Sequence, residues 1–358
     1  MNFPFFVIPF LIAFFTTSIT TPLLIPLIKR FGFVDDPKKH VHPAILHTKI
    51  IPRAGGIPLF LGVFLGGIFS LPFDKTTFAI FLSAFIALII GTLDDKYDIS
   101  RYFRFGVNIF CALIVVGAGV GIPFVTNPFG GILHLDFLKI TFSFFGNHTI
   151  YLLSDLIALL WIVWAMNMLN WSKGVDGQMP GVVAISAIVI GILSLRFSWA
   201  DPHTLLSANL SFLIAGASLG FLIYNFHPAK IFPGYGATAI YLLLSVVAIL
   251  SGAKLATAIL VMGVPMADGL FTVIRRILSG KSPFWHDNLH LHHQLLRLGY
   301  SQRTISLFYY FVSAILGTVS LTLSSKGKLF AIIMLLAVTG GGLVFLYKTL
   351  QNNEKNPL

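Results

Sequence analysis

Two adjacent carboxylates, Asp94 and Asp95, follow an apolar stretch of the chain. Neighbouring carboxylates repel each other and are costly to remove from water, and a divalent cation relieves both penalties. A solvated helix end is the alternative, but acidic side chains are unfavourable beside a helix C-terminus. We therefore expect Asp94 and Asp95 to hold Mg²⁺ or Mn²⁺, with a nucleotide phosphate completing the coordination.

Four polar residues follow a later apolar stretch. Asn167 and Asn170 are three residues apart and so share one face of a helix. Lys173 comes next, and the dipeptide Asp176-Gly177 gives a tight turn whose exposed backbone suits the approach of a ligand. A helix cap followed by a turn is the simpler alternative, but it requires fewer polar residues than this segment contains.

Three histidines, His290, His292 and His293, lie within four residues of the last long polar segment, downstream of Arg276. Such a group can bind a metal, contact a phosphate or shuttle protons. A single histidine at this place would more often have no special role, whereas this density favours a functional one.

Two further segments suit a phosphate-rich substrate. Gly234 and Gly236 flank a tyrosine just before an apolar run, an arrangement that can point backbone N–H groups at a phosphate, although alone it is more typical of a structural turn. Lys230 precedes these glycines, and Lys49 and Arg53 lie in the first polar segment. Such cations either bind phosphate or only orient the chain in a membrane.

The composition of the chain indicates that these polar segments belong to a membrane protein. The 358 residues are 56% hydrophobic and only 10% charged, with a mean hydropathy of +0.87. An ordinary soluble domain is about one quarter charged, so we expect an all-α polytopic membrane protein with one domain over residues 1–358. The net charge of +11 is spread over short loops, which favours anionic lipid headgroups over nucleic acid as a partner. Cys111, the one cysteine, cannot form an intrachain disulfide.

Apolar runs of roughly 20 residues can cross a bilayer, and they predict about eleven spans. The predicted spans cover residues 4–28, 54–72, 77–93, 105–122, 148–169, 179–195, 206–224, 239–251, 255–274, 304–324 and 329–348.

If these spans alternate in direction, five polar segments emerge on one face of the membrane. They cover residues 35–56, 91–104, 167–181, 225–238 and 275–302. That face carries 18 of the 24 lysines and arginines, which predicts that it is cytoplasmic and that the N-terminus lies outside. Carboxylates, histidines and glycines gathered on one face predict an enzyme working at the membrane surface. On the other face, we expect residues 121–147 to serve in structural packing.

In this order the motifs resemble those of the polyprenyl-phosphate N-acetylhexosamine-1-phosphate transferases, of glycosyltransferase family 4 type. The resemblance runs from about residue 24 to 299 and is strongest to the branch that uses undecaprenyl phosphate and N-acetylglucosamine 1-phosphate. It rests on Asp-Asp-Pro and Pro-Arg-x-Gly-Gly in the first segment, Asp94-Asp95, Asn-x-x-Asn with Gly-x-Asp-Gly, Pro-Ala-Lys-Ile-Phe, and His-x-His-His. Asp268 also fits a position of the family.

The resemblance implies transfer of a sugar 1-phosphate, N-acetylglucosamine 1-phosphate above all, from a UDP-sugar to undecaprenyl or another polyprenyl phosphate, releasing UMP. It implies a multi-pass protein of the inner (cytoplasmic) membrane whose cytoplasmic loops begin a cell-envelope glycan. The partners expected are the UDP-sugar, the polyprenyl phosphate, membrane lipids and, as an open alternative, a second copy of the chain.

The resemblance also assigns roles to single residues. It places the metal on Asp94, Asp95 and Asp176. It implies a catalytic role for these three together with His290, His292 and His293. The substrate contacts that it implies are Lys49, Asn167, Asn170, Lys173, Lys230, Gly234, Gly236 and Arg276.

Two positions depart from the family pattern. Lys173 stands where the family usually has Asp, and Tyr235 stands in place of the Asp of a Gly-Asp-Ser/Ala-Gly motif. Two carboxylates are thereby removed and a cation is added. One hypothesis is a transferase with weakened magnesium dependence, in which Lys173 neutralises a diphosphate. The alternatives are an inactive scaffold that binds lipid or nucleotide and a transporter, which polar residues clustered on one face disfavour.

Overall fold

The apolar segments form helices in the computed structural model, which describes residues 4–37, 49–143, 147–196, 202–252, 255–285 and 287–355. A short 3-10 helix, Tyr235–Ala237, leads into the eighth α-helix. The α-helices of the described residues are, in chain order, α1 (Pro4–Arg30), α2 (Gly56–Ser70), α3 (Lys75–Tyr97), α4 (Arg101–Gly117), α5 (Leu152–Trp171), α6 (Gln178–Leu195), α7 (Pro202–Asn225), α8 (Thr238–Leu250), α9 (Leu255–Val261), α10 (Gly263–Leu278), α11 (Leu291–Arg297), α12 (Gln302–Ser320) and α13 (Ser325–Lys355).

Six helices of the described chain are long and apolar enough to cross a membrane: α1, α3, α5, α6, α7 and α13. The all-α, multi-pass prediction is therefore confirmed, whereas the count of eleven spans is not. Each predicted span overlaps a helix, but α2 and α8 are short for a bilayer of about 30 Å. α4 has only 17 residues, and α12 begins with the polar residues Gln302 and Arg303, so neither is among the six.

The ninth predicted span is broken. α9 and α10 meet at Met262 with a bend of 87°, so that together they make at most one span. Pro265 lies in the first turn of α10 and has no N–H to donate to a carbonyl of α9, so a continuous helix would lose a hydrogen bond here. The break directs α10, with Arg275 and Arg276 in its last turn, towards the polar segments.

The core of the bundle surrounds α8, in which every residue is buried. α8 packs against α3, α5 and α7, and α7 packs in turn against α1 and α6. Because α8 begins directly after the 3-10 helix, this packing fixes the 225–238 segment relative to α3 and α5. Those two helices end in the segments that carry the paired carboxylates and Lys173.

In the described part of the chain, three small antiparallel sheets connect the helices. β1 (Val34–Asp35) pairs with β2 (Ile51–Pro52), and a bridge between Arg53 and Phe232 joins this sheet to the 225–238 segment. The other two sheets pair β3 (Phe124–Thr126) with β4 (Ile132–His134), and β5 (Lys139–Ser143) with β6 (Asn147–Tyr151). The side chains of β4 and β5 are exposed, so this part of 121–147 does not pack into the core as expected.

Candidate functional site

The five polar segments meet at one cavity of about 570 Å³, which we call the larger cavity. Each segment contributes to its lining, with Arg53, Asp95, Lys173, Gly234 and His292 as one representative each. Residues 38–48 of the first segment lie outside the described part of the chain. The convergence of the segments, which we expected from their alternation along the chain, is thus present in the fold.

Asp95 organises the 225–238 segment. Its side chain is fully buried and accepts hydrogen bonds from the backbone N–H groups of Tyr235 (2.7 Å) and Gly236 (3.3 Å). Arg53 Nε lies 3.1 Å from Asp95 Oδ1. A buried carboxylate is stable only when its charge is compensated, and here one arginine and two backbone N–H groups compensate it.

Asp94 is paired in the same manner with an arginine of α4. Arg104 donates to Asp94 Oδ2 at 2.7 Å, and the Asp94 side chain is 1% exposed. The second oxygen, Oδ1, is buried and has no hydrogen-bond partner among the described residues. Each of the two adjacent carboxylates thus has its own arginine partner, and the charges of Arg53 and Arg104 offset the repulsion between Asp94 and Asp95.

Lys173 enters the same region from the end of α5. Its ammonium donates to the carbonyl oxygen of Gly234 at 2.8 Å and lies 5.6 Å from the centre of the Tyr235 ring. The guanidinium of Arg104 lies 4.9 Å from the centre of that ring. Burial and the charge of Arg53 lower the pKa of Lys173, whereas the Asp95 carboxylate acts in the opposite direction. A phosphate bound here would favour the protonated ammonium.

Gly234 is required where the chain approaches Asp95. Its φ of +68° is one that residues with a side chain rarely adopt, and a Cβ at this position would collide with the Asp95 carboxylate. The N–H groups expected to cradle a phosphate, those after Gly234, instead donate to Asp95. In this structure the Gly-Tyr-Gly turn is therefore held by a carboxylate of the protein.

Asp176 lies in the larger cavity within a polar network of its own. Its Oδ2 accepts from the N–H of Ala229 at 3.0 Å and lies 2.7 Å from Nδ1 of His227. Its backbone N–H donates to Gln302 Oε1 at 2.9 Å. The following residue, Gly177, donates from its N–H to Asn225 Oδ1 at 3.1 Å. These contacts fix the turn that carries Asp176 between α5 and α6.

The histidine segment is held by a buried aspartate of α10. Asp268 Oδ2 lies 2.8 Å from Nδ1 of His290, and its Oδ1 accepts from the N–H of Leu291 at 2.9 Å. The Asp268 side chain is fully buried. This pairing orients the His290 ring and fixes the start of α11, so Asp268 positions the histidines without lining either cavity itself.

His292 lies against Gly174, where a Cβ would overlap the histidine ring. His292 as a whole residue is 1% exposed, and its Nδ1 has no hydrogen-bond partner among the described residues. Burial, with His293 and His290 nearby, lowers the pKa of His292 well below its usual value. The ring is therefore neutral at pH 7 and can exchange a hydrogen bond with a bound ligand.

A second cavity of about 240 Å³, the smaller cavity, adjoins the first. It is lined by Asn167, Arg276 and His290 among the predicted residues and by the aromatic side chains of Phe284 and Trp285. Six of the described residues line both cavities, and we call them the shared boundary. They are Arg53, Arg104, Asn170, Trp171, Lys173 and His293.

Three predicted substrate contacts lie elsewhere. Lys49 and Lys230 are exposed and line neither cavity. Gly236 is buried, and its N–H donates to Asp95. The side-chain N–H of Asn167 donates to the carbonyl of Val163, one turn earlier in α5, at 2.7 Å. One of the donors of Asn167 is therefore used within the helix.

The expected metal ligands do not form a common shell. Each of these three carboxylates already accepts a hydrogen bond from a protein donor. The ammonium of Lys173 lines the same cavity as Asp94, Asp95 and Asp176. In the described ranges, no group of three or more His, Cys, Asp or Glu side chains is placed to hold a metal ion. Apart from Asp94 Oδ1, the carboxylate oxygens of the α3 pair are already bonded, so the residues present do not fit the Mg²⁺ site that we expected.

Sequence reasoning missed two groups of residues at this site. Arg53 and Arg104 had no partner assigned, because their carboxylates lie 42 and 10 residues away along the chain. Asn225 and Gln302, which hold the Asp176 turn, were included only as ordinary members of polar segments. One signal could have indicated these pairs. The polar segments 35–56 and 91–104 were expected to meet at one site, and each of them contains an arginine that could neutralise Asp94 or Asp95.

Comparison with known proteins agrees with the motif pattern. The family described as glycosyl transferase family 4 matches residues 77–252, from α3 through α8. A Bacillus subtilis protein named "Probable undecaprenyl-phosphate N-acetylglucosaminyl 1-phosphate transferase" is 32% identical in an alignment of 327 residues that covers 89% of this chain and 85% of that protein. A Mycobacterium tuberculosis decaprenyl-phosphate N-acetylglucosaminephosphotransferase is 32% identical over 79% of this chain and 74% of its own length.

A third relative matches nearly end to end. The Thermotoga maritima undecaprenyl-phosphate alpha-N-acetylglucosaminyl 1-phosphate transferase is 27% identical over 97% of this chain and 98% of its own length. The similarity therefore includes the helices and all five polar segments of the cavity. The chain belongs to glycosyl transferase family 4 and is a membrane-embedded transferase.

Proposed function

We propose that this protein transfers N-acetylglucosamine 1-phosphate from UDP-N-acetylglucosamine to undecaprenyl or another polyprenyl phosphate and releases UMP. The names of the relatives in Bacillus, Mycobacterium and Thermotoga support the sugar phosphate and the polyprenyl acceptor. The observation that carries the proposal is the pair of adjoining cavities, because a two-substrate transfer needs two binding spaces that meet at the reacting phosphate.

The proposed reaction is one substitution at phosphorus. An oxygen of the lipid phosphate attacks the phosphorus that carries the sugar, and a new P–O bond forms. The bond from this phosphorus to the oxygen bridging the two phosphates breaks, and its electron pair leaves with UMP. A phosphate monoester is mostly a dianion near pH 7, so the acceptor attacks without first losing a proton. The protein then mainly positions the reactants and neutralises charge.

The dimensions and lining of the cavities suggest which substrate enters each. The larger cavity falls within the usual range for small-molecule sites, and Asn170, Asp176, His292 and His293 offer polar contacts for a nucleotide sugar. The smaller cavity suits a phosphate headgroup, because Arg101, Arg104 and Arg276 line it. Its Trp285 is 47% exposed, as expected of an aromatic residue at a membrane interface.

The remaining side chains receive supporting roles in this proposal. Asp95 holds the Gly-Tyr-Gly turn, and Asp94 keeps Arg104 at the cavity wall. The neutral ring of His292 offers a hydrogen bond to a phosphate oxygen, and His290 is oriented by Asp268. We further propose that this face of the bundle is cytoplasmic in the inner membrane, since the sugar donor is a soluble nucleotide. Whether two copies associate does not enter the mechanism.

A product assay tests the proposal. Purified protein in lipid nanodiscs would be incubated with undecaprenyl phosphate and UDP-N-acetylglucosamine, with UDP-N-acetylgalactosamine and UDP-glucose as competing donors. We expect UMP and a lipid diphosphate N-acetylglucosamine in equal amounts. Lys29→Gln, which alters an exposed cation at the end of α1, serves as the matched control. If no donor yields either product, with or without Mg²⁺ or Mn²⁺, the inactive binding protein is the correct account.

A further inference from the structure

We propose that this transferase needs no divalent cation, because Lys173, Arg53 and Arg104 supply the positive charge that the reacting diphosphate requires. The inference rests on the proposed function and adds to it the source of charge neutralisation. It concerns the same site and extends the hypothesis for Lys173: the structure places Arg53 and Arg104 beside it, and together the three cations replace the metal rather than only weaken its role.

The first supporting observation is the composition of the shared boundary. Among the described residues of this boundary, three of six are the cations Arg53, Arg104 and Lys173, and none is a carboxylate. A phosphoryl group passing from a ligand in one cavity to a ligand in the other must cross this boundary. Half of the residues at this boundary are therefore cations that can approach the transferred phosphate, whereas a Mg²⁺ ion would need several oxygen ligands at the same place.

The second observation is that the neighbouring carboxylates are already engaged. Asp95 accepts two backbone N–H groups and the guanidinium of Arg53. Asp94 accepts from Arg104 at 2.7 Å. Recruiting both carboxylates to a metal would break two ion pairs and release the Gly-Tyr-Gly turn. Apart from Asp94 Oδ1, a divalent cation at this pair would therefore have to displace interactions that hold the site together.

The third observation is how firmly Lys173 is placed. Its ammonium donates to the carbonyl of Gly234 at 2.8 Å and contacts the face of Tyr235, which Arg104 also contacts. An ammonium has three N–H donors, and the contact with Gly234 uses one. The other donors can reach an oxygen of a bound diphosphate, so that Lys173 acts as a fixed point charge at the boundary.

Fixed cations can perform the required chemistry. During transfer, negative charge lies on the three non-bridging oxygens of the moving phosphoryl group and builds up on the oxygen that leaves with UMP. Preorganised positive groups in a water-poor site stabilise such charge without rearranging. The bonds formed and broken are those given above, and no proton, oxidant or further reactant is needed.

The decisive experiment titrates the metal. UMP release and lipid product would be measured after exhaustive dialysis against EDTA and again with increasing Mg²⁺. We expect the EDTA and Mg²⁺ rates to agree within about threefold. Lys173→Ala should lose about 100-fold or more of turnover under both conditions, as when other preorganised oxyanion contacts are removed. Lys29→Gln should match the unaltered protein throughout.

Binding gives a readout that does not depend on turnover. Equilibrium dialysis with radiolabelled UMP should give the same Kd in EDTA and in Mg²⁺ for the unaltered protein. Lys173→Ala should weaken UMP binding about 10-fold or more in both, whereas Lys173→Arg should retain most of it because the charge remains. Melting temperatures in detergent would confirm that the variants fold, and Mn²⁺ electron paramagnetic resonance would report any bound metal.

The outcomes separate the two proposals. Turnover that disappears in EDTA and returns with Mg²⁺ would overturn the inference and leave the proposed transferase intact. UMP binding that occurs only when Mg²⁺ is present would overturn the inference in the same way. Failure to form either product with any metal would instead overturn the proposed function, and with it the inference.

Discussion

The carboxylate of Asp95 at the end of α3 accepts the backbone N–H of Tyr235, 140 residues later in the chain, at 2.7 Å. This bond joins the paired carboxylates to the Gly-Tyr-Gly turn, whose Tyr235 ring has its centre 5.6 Å from the Lys173 ammonium and 4.9 Å from the Arg104 guanidinium. The buried Asp95 side chain thus holds the Gly-Tyr-Gly turn in the cavity wall, next to Lys173 and Arg104.

Asp95→Asn tests this relationship. The amide retains the size of the carboxylate but removes the charge that faces Arg53 and one acceptor for the turn. Leaving buried groups without their partner typically costs about 1–3 kcal/mol. We expect the melting temperature to fall and turnover to drop by two orders of magnitude or more, measured by thermal unfolding in detergent and by UMP release.

The matched control for this variant is Asp136→Asn, which removes a half-exposed carboxylate between β4 and β5. It should leave both quantities unchanged. Turnover equal to that of the unaltered protein in Asp95→Asn would mean that the Asp95 carboxylate is not needed to hold the Gly-Tyr-Gly turn. That result would contradict the role given to Asp95 in the cavity wall.

His292 predicts a specific dependence of stability on pH. Its pKa is lowered in the folded protein, so between this value and the ordinary pKa of about 6.5 the unfolded chain binds more protons. Stability is therefore fully present above pH 6.5 and is lost as the pH falls below it, by up to about 1.4 kcal/mol per pH unit. His292→Gln should flatten this decline in melting temperature between pH 7 and 5.5, whereas the exposed His134→Gln should not. An equal decline in His292→Gln and the unaltered protein would contradict the prediction.

Gly174→Ala should displace His292 without altering any polar group. The added Cβ would overlap the buried imidazole, and overpacking of this kind costs typically about 1–3 kcal/mol. We expect lower stability and a loss of turnover that exceeds any change in the apparent affinity for the sugar donor. Gly106→Ala in α4, where a Cβ meets nothing within 4 Å, should be neutral or stabilising. Unchanged kinetics in Gly174→Ala would show that the position of His292 is not critical.

Cysteine labelling tests the orientation of the bundle. Lys281→Cys lies beyond α10 on the cavity side, and Thr126→Cys lies at the end of β3 in the segment predicted to face outward. In intact cells a membrane-impermeant maleimide should label only the Thr126→Cys protein, and Lys281→Cys should react only once the inner face is opened. The unaltered chain is the control, because Cys111 is fully buried. Labelling of Lys281→Cys from outside would reverse the proposed orientation.

The membrane helices could be predicted because a long apolar run has few alternatives in a bilayer. The break at Met262 was not predicted, since α9 and α10 form one continuous hydrophobic stretch and only Gly263 and Pro265 indicate the bend. The exposed strands β4 and β5 were also missed. Their short alternating pattern is weak beside the signals of the neighbouring helices.

Within the site, most of the residues that the sequence predicted do line the cavities, but the sequence did not show how they pair. Lys173 and Tyr235 could be recognised as unusual from the motif alone. That the Lys173 ammonium would bond to Gly234, and that Arg104 would reach Asp94, depends on how α4 and α5 pack, which no local pattern encodes. Long-range pairing of charges is therefore the part of the site that requires the three-dimensional structure.

The central claim is that the phosphate attached to the sugar moves together with the sugar to the lipid. UDP-N-acetylglucosamine carrying ³²P in that phosphate, with ¹⁴C in the sugar, tests this directly in the purified protein supplied with undecaprenyl phosphate. The account predicts that both labels enter the lipid product in equal molar amounts and that the released UMP carries no ³²P. Label in the nucleotide product, with only ¹⁴C in the lipid, would mean that the sugar alone is transferred and would contradict the account.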